Sequence, residues 1–391
     1  MTAGILALNI GSSSIKLALF DAATLEPILR GNVTDTGRDT RAAFTSHGQT
    51  TVSERPAATD ISEAVRWLLA ELRERYPEVR IAAVGHRVVH GGTRFDKPVR
   101  IDADVLAGLA ALAVLAPAHQ PAEIALIRNM QEMLPDVPQI ACFDTAFHRT
   151  QPTLSQWFAL PRALSESGIV RIGFHGLSYE YIASVLPQMA GARPYGKTVV
   201  AHLGHGASVC AMRDLKSVST SMGFTPLDGL MMGTRCGAID PGVLLYLQQQ
   251  RGMSAQDVAD LLGHRSGLLG VSGISGDVRE LEASDDPRAR EALEMFAERA
   301  ATAIAAQCVA LDGLDALVFT GGIGEHAGPM RQRICERLGW LGIALDDARN
   351  ANHATRISSD DARVQVLVIP TDEETVIAQG TARLLEPPSF P

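Results

Sequence analysis

Residues 5–20 read ILALNIGSSSIKLALF, in which two apolar runs flank one glycine and three serines. Small residues between apolar runs predict two strands joined by a short turn. The same pattern returns at residues 198–212, TVVAHLGHGASVCAM, roughly half a chain length further on. We interpret the recurrence as two similar halves, each of which opens with a glycine hairpin.

Strand and helix patterns alternate over the rest of the chain. Residues 60–76 predict a helix, because Asp60 is a suitable N-cap and apolar residues follow it at helical spacing. The final helix is expected to start after Thr371, with Glu374 as its capping-box partner. This alternation predicts an α/β protein with a mainly parallel sheet and hairpin edges. Further helices are predicted over 104–115, from Pro121 and over 287–311, and further strands over 80–89, 139–143, 316–320 and 364–369.

Composition narrows the class of protein. The chain has 391 residues, of which 46% are hydrophobic and 20% charged, and this balance excludes a disordered protein. A net charge of −9 disfavours a nucleic-acid binder, since such proteins usually carry a basic face. Five cysteines without a C-x-x-C pair indicate neither a disulfide framework nor a zinc site. We expect a soluble cytoplasmic protein, because the first residues lack a basic segment and the longest uncharged apolar run, 105–118, is too short for a membrane helix.

One short motif is misleading. Residues 191–198, GARPYGKT, match the P-loop pattern G-x-x-x-x-G-K-T. A P-loop follows a strand and opens a helix, whose first amides hold phosphate. Here a helical pattern precedes the segment and a β-rich pattern follows it. A surface turn before a strand is therefore the better interpretation.

Seven clusters of small and polar residues fall near predicted strand ends, where α/β proteins place their sites. Glycine turns can hold phosphates, arginines suit planar anions, and acidic or amide side chains can hold Mg²⁺. Each cluster alone also has an ordinary structural explanation, such as a hairpin turn, an ion pair, a turn cap or a buried histidine. Together they indicate phosphoryl transfer. The clusters are residues 9–16, 85–92, 143–148, 173–176, 232–242, 272–279 and 320–325.

Long motifs within these clusters stand in one order along the chain, and through them the whole chain resembles the acetokinase family, the acetate kinases of the actin/hexokinase superfamily. The resemblance implies two similar domains of the actin/hexokinase-like (ribonuclease H-like) fold, an active site in the cleft between them, and a homodimer. It implies a first domain of residues 1–148 plus 373–391, and a second of 149–372 with the nucleotide pocket and dimer contacts. The motifs are LALNIGSSSIK (6–16), HRVVHGG (86–92), FDTAFH (143–148), GFHG (173–176), AHLGHGAS (201–208), STSMGFTPLDGLMMGTR (219–235), SGLLGVSGIS (266–275), FTGGIGE (319–325) and PTDEE (370–374).

The resemblance also implies roles position by position. Arg87 and Arg235 hold the carboxylate and the transferring phosphoryl group, Asp144 is the essential aspartate, and His175 donates to the transition state. The implied set is Asp144, His175, Arg87 and Arg235 for catalysis; Arg87, Val89, Ala118, His119, Phe174 and Pro226 for the acyl substrate; Ser12, Ser14, Lys16, His202, Gly204, His205, Gly206, Asp277, Val278, Arg279, Gly322, Ile323, Gly324 and Glu325 for ATP; and Asn9 and Glu373 for the metal.

The implied reaction is reversible, Mg²⁺-dependent transfer of the ATP γ-phosphoryl group to acetate, with Mn²⁺ as an alternative metal. The partners are therefore small molecules: acetate, acetyl phosphate, ATP and ADP. A kinase for propionate or another short-chain carboxylate is the nearest alternative, and a non-catalytic nucleotide sensor is an alternative from another class. The chain departs from the usual family pattern at Ala118, Gln120, Tyr179, His205, Cys236, Ala238 and His326.

Overall fold

A computed structural model describes residues 1–10, 14–35, 39–46, 48–56, 61–189 and 195–385. The chain separates into two compact units. The first comprises Met1–Phe147 and Asp372–Pro391, and the second comprises His148–Thr371. In the part of the chain that the structure describes, no helix is long and apolar enough to cross a membrane.

The first unit contains an eight-stranded sheet, and the strands are β1 (Thr2–Ile10), β2 (Ser14–Asp21), β3 (Pro27–Asp35), β4 (Asp39–Ser46), β5 (Gln49–Pro56), β6 (Val79–Val88), β7 (Val99–Arg100) and β8 (Gln139–Phe143). Their order in the sheet is β5-β4-β3-β2-β1-β6-β8-β7. The predicted first hairpin is confirmed, because β1 and β2 pair antiparallel with Asn9 opposite Lys16. Strand β1 pairs in parallel with β6, and β6 pairs in parallel with β8.

Three helices of the first unit are α1 (Ile61–Arg75), α2 (Ala103–Ala111) and α3 (Gln120–Met133). Helices α1 and α3 bury apolar side chains against the β1–β2 side of the sheet, including Leu68 and Met130. Asp102 caps α2 by accepting a hydrogen bond from the Val105 amide at 2.8 Å. Helix α2 ends earlier than predicted and is followed by a short 3₁₀ turn, Ala113–Leu115.

The second unit contains a five-stranded sheet, and its strands are β9 (Lys197–Leu203), β10 (Ala207–Arg213), β11 (Lys216–Thr220), β12 (Ala316–Thr320) and β13 (Gln365–Val368). Their order is β11-β10-β9-β12-β13, with β9, β12 and β13 parallel and β10 antiparallel to both of its neighbours. The strands β3-β2-β1-β6-β8 have the same order and the same directions. The interpretation of two similar halves is therefore confirmed.

The prediction of mainly parallel sheets is wrong. Among the described strands, seven neighbouring pairs are antiparallel and four are parallel. The reason is that the hairpin in the first unit continues as a meander through β3, β4 and β5, so antiparallel pairing extends well beyond the edge.

The helices of the second unit lie between and after its strands. The longest begins after Asp286, whose side chain accepts from the Arg288 amide, and its bounds agree with the predicted helix over 287–311. The helices are α4 (Thr153–Gln156), α5 (Arg162–Glu166), α6 (Gly176–Met189), α7 (Pro241–Gln249), α8 (Ala255–His264), α9 (Gly267–Ser272), α10 (Val278–Glu282), α11 (Pro287–Leu311), α12 (Gly321–His326), α13 (Gly328–Glu336) and α14 (Asp347–Ala351).

The last helix, α15 (Glu373–Ala382), packs on β1 and β6 of the first unit. Its close approach requires glycine at position 85, because a Cβ there would lie 2.2 Å from Thr381 Oγ1. The predicted cap is wrong: the N-cap is Asp372, which accepts from the Thr375 amide at 3.0 Å. Glu374 is instead free to reach Asn9, as described below.

Candidate active site

The ends of β6 and β8 carry a buried ion pair. These strands are parallel neighbours, so Arg87 near the end of β6 and Asp144 just after β8 lie at the same edge. Arg87 Nη2 donates to Asp144 Oδ2 at 2.6 Å, and Arg87 Nε is 3.1 Å from both carboxylate oxygens. Burial alone would lower the pKa of Arg87, but the charges of Asp144 and Glu373 outweigh it and hold that pKa above its ordinary value.

Asn9 links this ion pair to the first turn of α15. Its Oδ1 accepts from Arg87 Nη1 at 3.0 Å, while its Nδ2 donates to Glu373 at 2.8 Å and to Glu374 at 3.2 Å. Burial and the neighbouring charge of Glu373 raise the pKa of Glu374, and Lys16 opposes that shift. The structure therefore brings together Asn9, Arg87, Asp144 and Glu373, four residues that the sequence assigned to one site.

This cluster also suits the implied metal. Mg²⁺ takes oxygen ligands, and it is usually held by one or two carboxylates together with substrate phosphates and water. Glu373 and Glu374 present two carboxylates beside the Asn9 amide. In the described part of the chain no three His, Cys, Asp or Glu side chains form a metal-binding group.

Sequence reasoning missed Glu123. This side chain is 1% exposed, and its Oε2 accepts a hydrogen bond from the Val89 amide at 3.0 Å. Burial raises the pKa of Glu123 to about 8, against the opposing effect of the Arg87 charge. An acidic residue in the first turn of a helix is ordinarily a favourable partner of the helix dipole, so the sequence offered no signal that this one is buried.

The two histidines near Arg87 are structural. His86 is buried, its Nε2 lies 2.7 Å from Gln139 Oε1, and burial lowers its pKa to about 4. His90 is also buried, and its Nδ1 accepts from the Gly92 amide at 3.0 Å. Gln120 bonds both the amide and the carbonyl of His90. These bonds fix the chain that follows β6.

The residues expected around the acyl group differ in exposure. In the first unit Val89 is buried, His119 is half-buried, and Ala118 is exposed in the turn that precedes α3. In the second unit Phe174 is buried and Pro226 is half-buried. Pro226 also supplies the carbonyl that accepts from Arg235 Nη1 at 2.9 Å.

A group of histidines, serines and one tyrosine lies at the end of the second unit's hairpin. His175 Nδ1 is 2.8 Å from Ser208 Oγ, which is 2.5 Å from the Tyr179 hydroxyl. His202 Nδ1 is 2.8 Å from Ser178 Oγ. The rings of His175 and His202 stack with centroids 4.3 Å apart. Both imidazoles thus have a hydroxyl at Nδ1.

Two predicted catalytic residues converge on Gly206. A Cβ there would lie 3.1 Å from His175 Nε2 and 3.3 Å from Arg235 Nη2, so only glycine leaves this space open. His205 stands beside the same arginine: burial and the charge of Arg235 lower its pKa, while Asp277 raises it. The structure therefore brings the turn 204–206 together with His175 and Arg235.

The charged residues assigned to adenosine are held by contacts within the second unit. Asp277 caps α10 and pairs with Arg279 at 2.6 Å. Glu325 Oε1 accepts from the amides of Gly321 and Thr371 at 2.9 and 3.1 Å, which fixes the crossing from β12 to α12. The remaining members of the set are Val278 and Gly324, which are buried, Ile323, which is half-buried, and Gly322, which is exposed.

The predicted first phosphate loop is only partly described. Ser12 lies outside the described residues, as do residues 190–194, which include the first half of the P-loop-like segment. Ser14 begins β2, but its side chain is also outside them. Lys16 is exposed on β2.

The duplicated sheet places the chain in the actin/hexokinase-like class of folds. Within that class the chain belongs to the acetokinase family, whose profile matches residues 4–379. An acetate kinase of Rhodopseudomonas palustris is 51% identical, with 98% of each chain covered. Among solved structures, a propionate kinase from Francisella tularensis has a TM-score of 0.91 at 39% identity, and a Porphyromonas gingivalis acetate kinase has 0.85 at 36%; each covers 98% of this chain and 100% of its own.

We expect Glu123 to make stability fall as pH rises. Its pKa is raised from 4.5 to about 8 on folding, so between these values the folded protein holds a proton that the unfolded chain has lost. The stabilisation is fully present below about pH 4.5 and is lost as pH rises through 8. Melting curves from pH 5 to 9 should show that Glu123→Gln loses less stability than wild type, by on the order of a few kcal/mol.

Glu132→Gln is the matched control, because Glu132 is exposed on the same helix. Its melting temperature should follow the wild-type pH dependence. Parallel curves for wild type and Glu123→Gln would show that the Glu123 carboxyl does not change its proton affinity on folding.

Proposed function

We propose that this chain is an acetate kinase in which the Arg87 cluster binds the carboxylate substrate. The reaction transfers the γ-phosphoryl group of ATP reversibly to acetate and yields acetyl phosphate and ADP. The observation that carries the proposal is the Arg87–Asp144–Asn9–Glu373 cluster, found in a member of the acetokinase family.

The chemistry explains why arginines matter here. Acetate is ionised at pH 7, since carboxyl pKa values lie near ~4, so the reaction needs no general base. The main barrier is the approach of one anion to another. We assign Arg87 to the carboxylate and Arg235 to the transferring phosphoryl group, because positioned cations offset charge that builds up during transfer. Asp144 holds the guanidinium of Arg87 in one orientation.

We assign the metal to Asn9 and Glu373. When bound, Mg²⁺, or Mn²⁺ in its place, neutralises charge on the nucleotide phosphates. Asn9 already holds Glu373 at 2.8 Å, so the carboxylate is oriented before substrate binds. We assign two roles to Asp144. It orients the Arg87 guanidinium, and it would orient the water shell of the bound metal.

We assign the nucleotide to the second unit. The turn 204–206 and His202 bind the ATP phosphates in this proposal. The small residues of the turn let backbone amides approach phosphate oxygen atoms. His175 donates a hydrogen bond to the phosphoryl group in the transition state. We assign the adenosine to the segments 277–279 and 322–325. We assign Ser12, Ser14 and Lys16 to the ATP phosphates.

Propionate is the second candidate substrate, and Ala118 favours it. The acetokinase resemblance expects leucine at this position, and alanine leaves room for additional methylenes. A propionate kinase from Francisella tularensis also has a closely similar structure. A nucleotide sensor is the weaker alternative, since a sensor needs no arginine for a second anion.

We further propose that the protein is cytoplasmic and that it is a homodimer, the latter as the family resemblance implies. Its proposed partners are small molecules. The use of ATP as a substrate favours a cytoplasmic location. We also propose that the two structural units act as the two domains of the family. Sedimentation of the purified protein tests the dimer.

Trapping of the acyl phosphate tests the function directly. The protein is mixed with Mg-ATP, acetate and hydroxylamine, and acetyl hydroxamate is measured. We expect hydroxamate and ADP to form in equal amounts. ADP without hydroxamate would indicate a simple ATPase, and neither product in a folded, ATP-binding protein would indicate a sensor.

The two arginines should respond differently to substitution. Arg235→Ala should lower kcat/KM by about 10³-fold or more, with little change in Tm, because Arg235 is only half-buried. Arg87→Ala should lower Tm as well, since it leaves the buried Asp144 without its cation, at a cost of roughly 3–5 kcal/mol. Arg87→Lys should keep most of the stability and still lose activity, because lysine lacks the planar fork.

Arg213→Ala, at an exposed arginine on β10, is the control and should match wild type in both rate and Tm. Near-normal turnover in either Arg235→Ala or Arg87→Lys would contradict the assigned roles.

Ala118→Leu should narrow the acyl specificity. A pocket distinguishes one methylene by ~1–3 kcal/mol, so kcat/KM for propionate should fall by about tenfold or more while acetate is spared. Initial rates with formate, acetate, propionate and butyrate measure the effect. Val114→Leu, at an exposed residue of the same segment, is the control and should leave the ratio unchanged. An equal loss for acetate and propionate would show that position 118 does not line the acyl pocket.

A further inference from the structure

Tyr179, Ser208 and His175 form a continuous chain of hydrogen bonds inside the second unit. The Tyr179 hydroxyl lies 2.5 Å from Ser208 Oγ, which lies 2.8 Å from His175 Nδ1. Tyr179 and Ser208 are completely buried, whereas His175 is half-buried. Solvent therefore cannot rearrange the first two members, and the direction of their hydrogen bonds is set by the protein.

The proton donors in this chain can be ordered. Burial raises the pKa of Tyr179 well above its usual value, so the phenol keeps its proton. The phenol can donate this proton to Ser208 Oγ at 2.5 Å, and Ser208 can then donate its own hydroxyl proton to His175 Nδ1 at 2.8 Å. A neutral imidazole that accepts at Nδ1 carries its proton at Nε2.

His175 Nε2 points toward the phosphate turn. It lies 3.1 Å from the position of a Cβ at Gly206, beside Arg235 Nη2 at 3.3 Å from the same point. The backbone of His175 adopts a φ of 60°, in the left-handed region that residues other than glycine rarely occupy. Such conformations persist where the surrounding structure fixes them, and they are frequent at functional sites.

We propose that Tyr179 and Ser208 are positioning residues that hold His175 as the neutral tautomer with its proton on Nε2. In that state the imidazole is a hydrogen-bond donor aimed at the turn 204–206. The inference rests on the proposed function in one respect, which is the assignment of the turn 204–206 to the ATP phosphates. The tautomer itself is inferred from contacts within the second unit alone.

Nitrogen NMR of the full chain tests the tautomer without substrate. Long-range ¹H–¹⁵N spectra distinguish a protonated ring nitrogen from an accepting one, and His175→Gln identifies the His175 signals by their disappearance. We expect the wild-type protein to show a protonated Nε2 and a hydrogen-bonded, unprotonated Nδ1. Ser208→Ala and Tyr179→Phe should both shift the Nδ1 signal, because each breaks the chain at a different bond.

Ser217→Ala is the matched control. Ser217 is another buried serine, and its hydroxyl lies 2.9 Å from Nδ1 of a different buried histidine, His148. This variant should alter the His148 signals and leave those of His175 unchanged. It therefore separates a local effect on the His175 chain from general damage to the unit.

Kinetics supply the second readout. Tyr179→Phe and Ser208→Ala should lower kcat by roughly 10–100-fold, since one transition-state donor is worth about 10²–10³ in kcat, while KM for ATP and acetate changes less than about twofold. Ser208→Thr, which keeps the hydroxyl, should restore the wild-type nitrogen pattern and part of the rate.

Several results would overturn the inference. A proton on Nδ1 in the wild-type protein would refute it, and so would Tyr179→Phe spectra identical to wild type. If Ser208→Ala does not fold, Tyr179→Phe still decides, because it removes only one oxygen. A wild-type spectrum as expected, together with no acetyl hydroxamate, would instead contradict the proposed function and leave the tautomer assignment standing.

Discussion

The first unit depends on a single electrostatic constraint, the pairing of Arg87 with Asp144. Both side chains are largely buried, and a buried charge without a partner costs several kcal/mol. Their pairing joins the end of β6 to the end of β8, and Asn9 extends it to β1 and to the first turn of α15. Helix α15 is distant in sequence, so the cluster also explains why the chain returns to the first sheet. One set of contacts thus serves both the fold and the chemistry proposed for it.

The two units have sheets of the same topology, but different types of side chain surround corresponding positions in them. Asn9 on β1 and His202 on β9 each stand two residues before the glycine that opens the hairpin turn. In the first unit the neighbours of this position are charged, with Arg87 and Glu373 in contact with Asn9. In the second unit its neighbours are neutral hydroxyls and a stacked imidazole. The corresponding strand ends of the two similar sheets therefore carry ionic contacts in the first unit and hydrogen bonds to a hydroxyl in the second.

Local patterns in the sequence predicted much of this fold. The hairpins, α11 and β12 follow from apolar runs, small turn residues and a capping aspartate, all of which act over short distances. Strands β3 to β5 were missed because they carry many polar residues and one apolar face, so they lack a continuous apolar run. The cap of α15 was placed one residue early because both Thr371 and Asp372 can cap a helix. Motif resemblance brought Arg87, Asp144, Asn9 and Glu373 together, but the burial of Glu123 and the bonds of Ser208 depend on tertiary contacts that no local pattern records.

The carboxyl groups around Arg87 bear on the proposal that this arginine binds an anionic substrate. Asp144, Glu373 and Glu123 act on the charge of Arg87, and Glu374 bonds to Asn9 beside it. Four negative charges there would repel acetate. Burial opposes this charge, because it raises the pKa of Glu123 to about 8 and also raises the pKa of Glu374. Lys16 adds a further positive charge on the side of Glu374. Desolvation therefore opposes negative charge on two carboxyl groups of the first unit, which favours the proposal that the Arg87 guanidinium binds a carboxylate substrate.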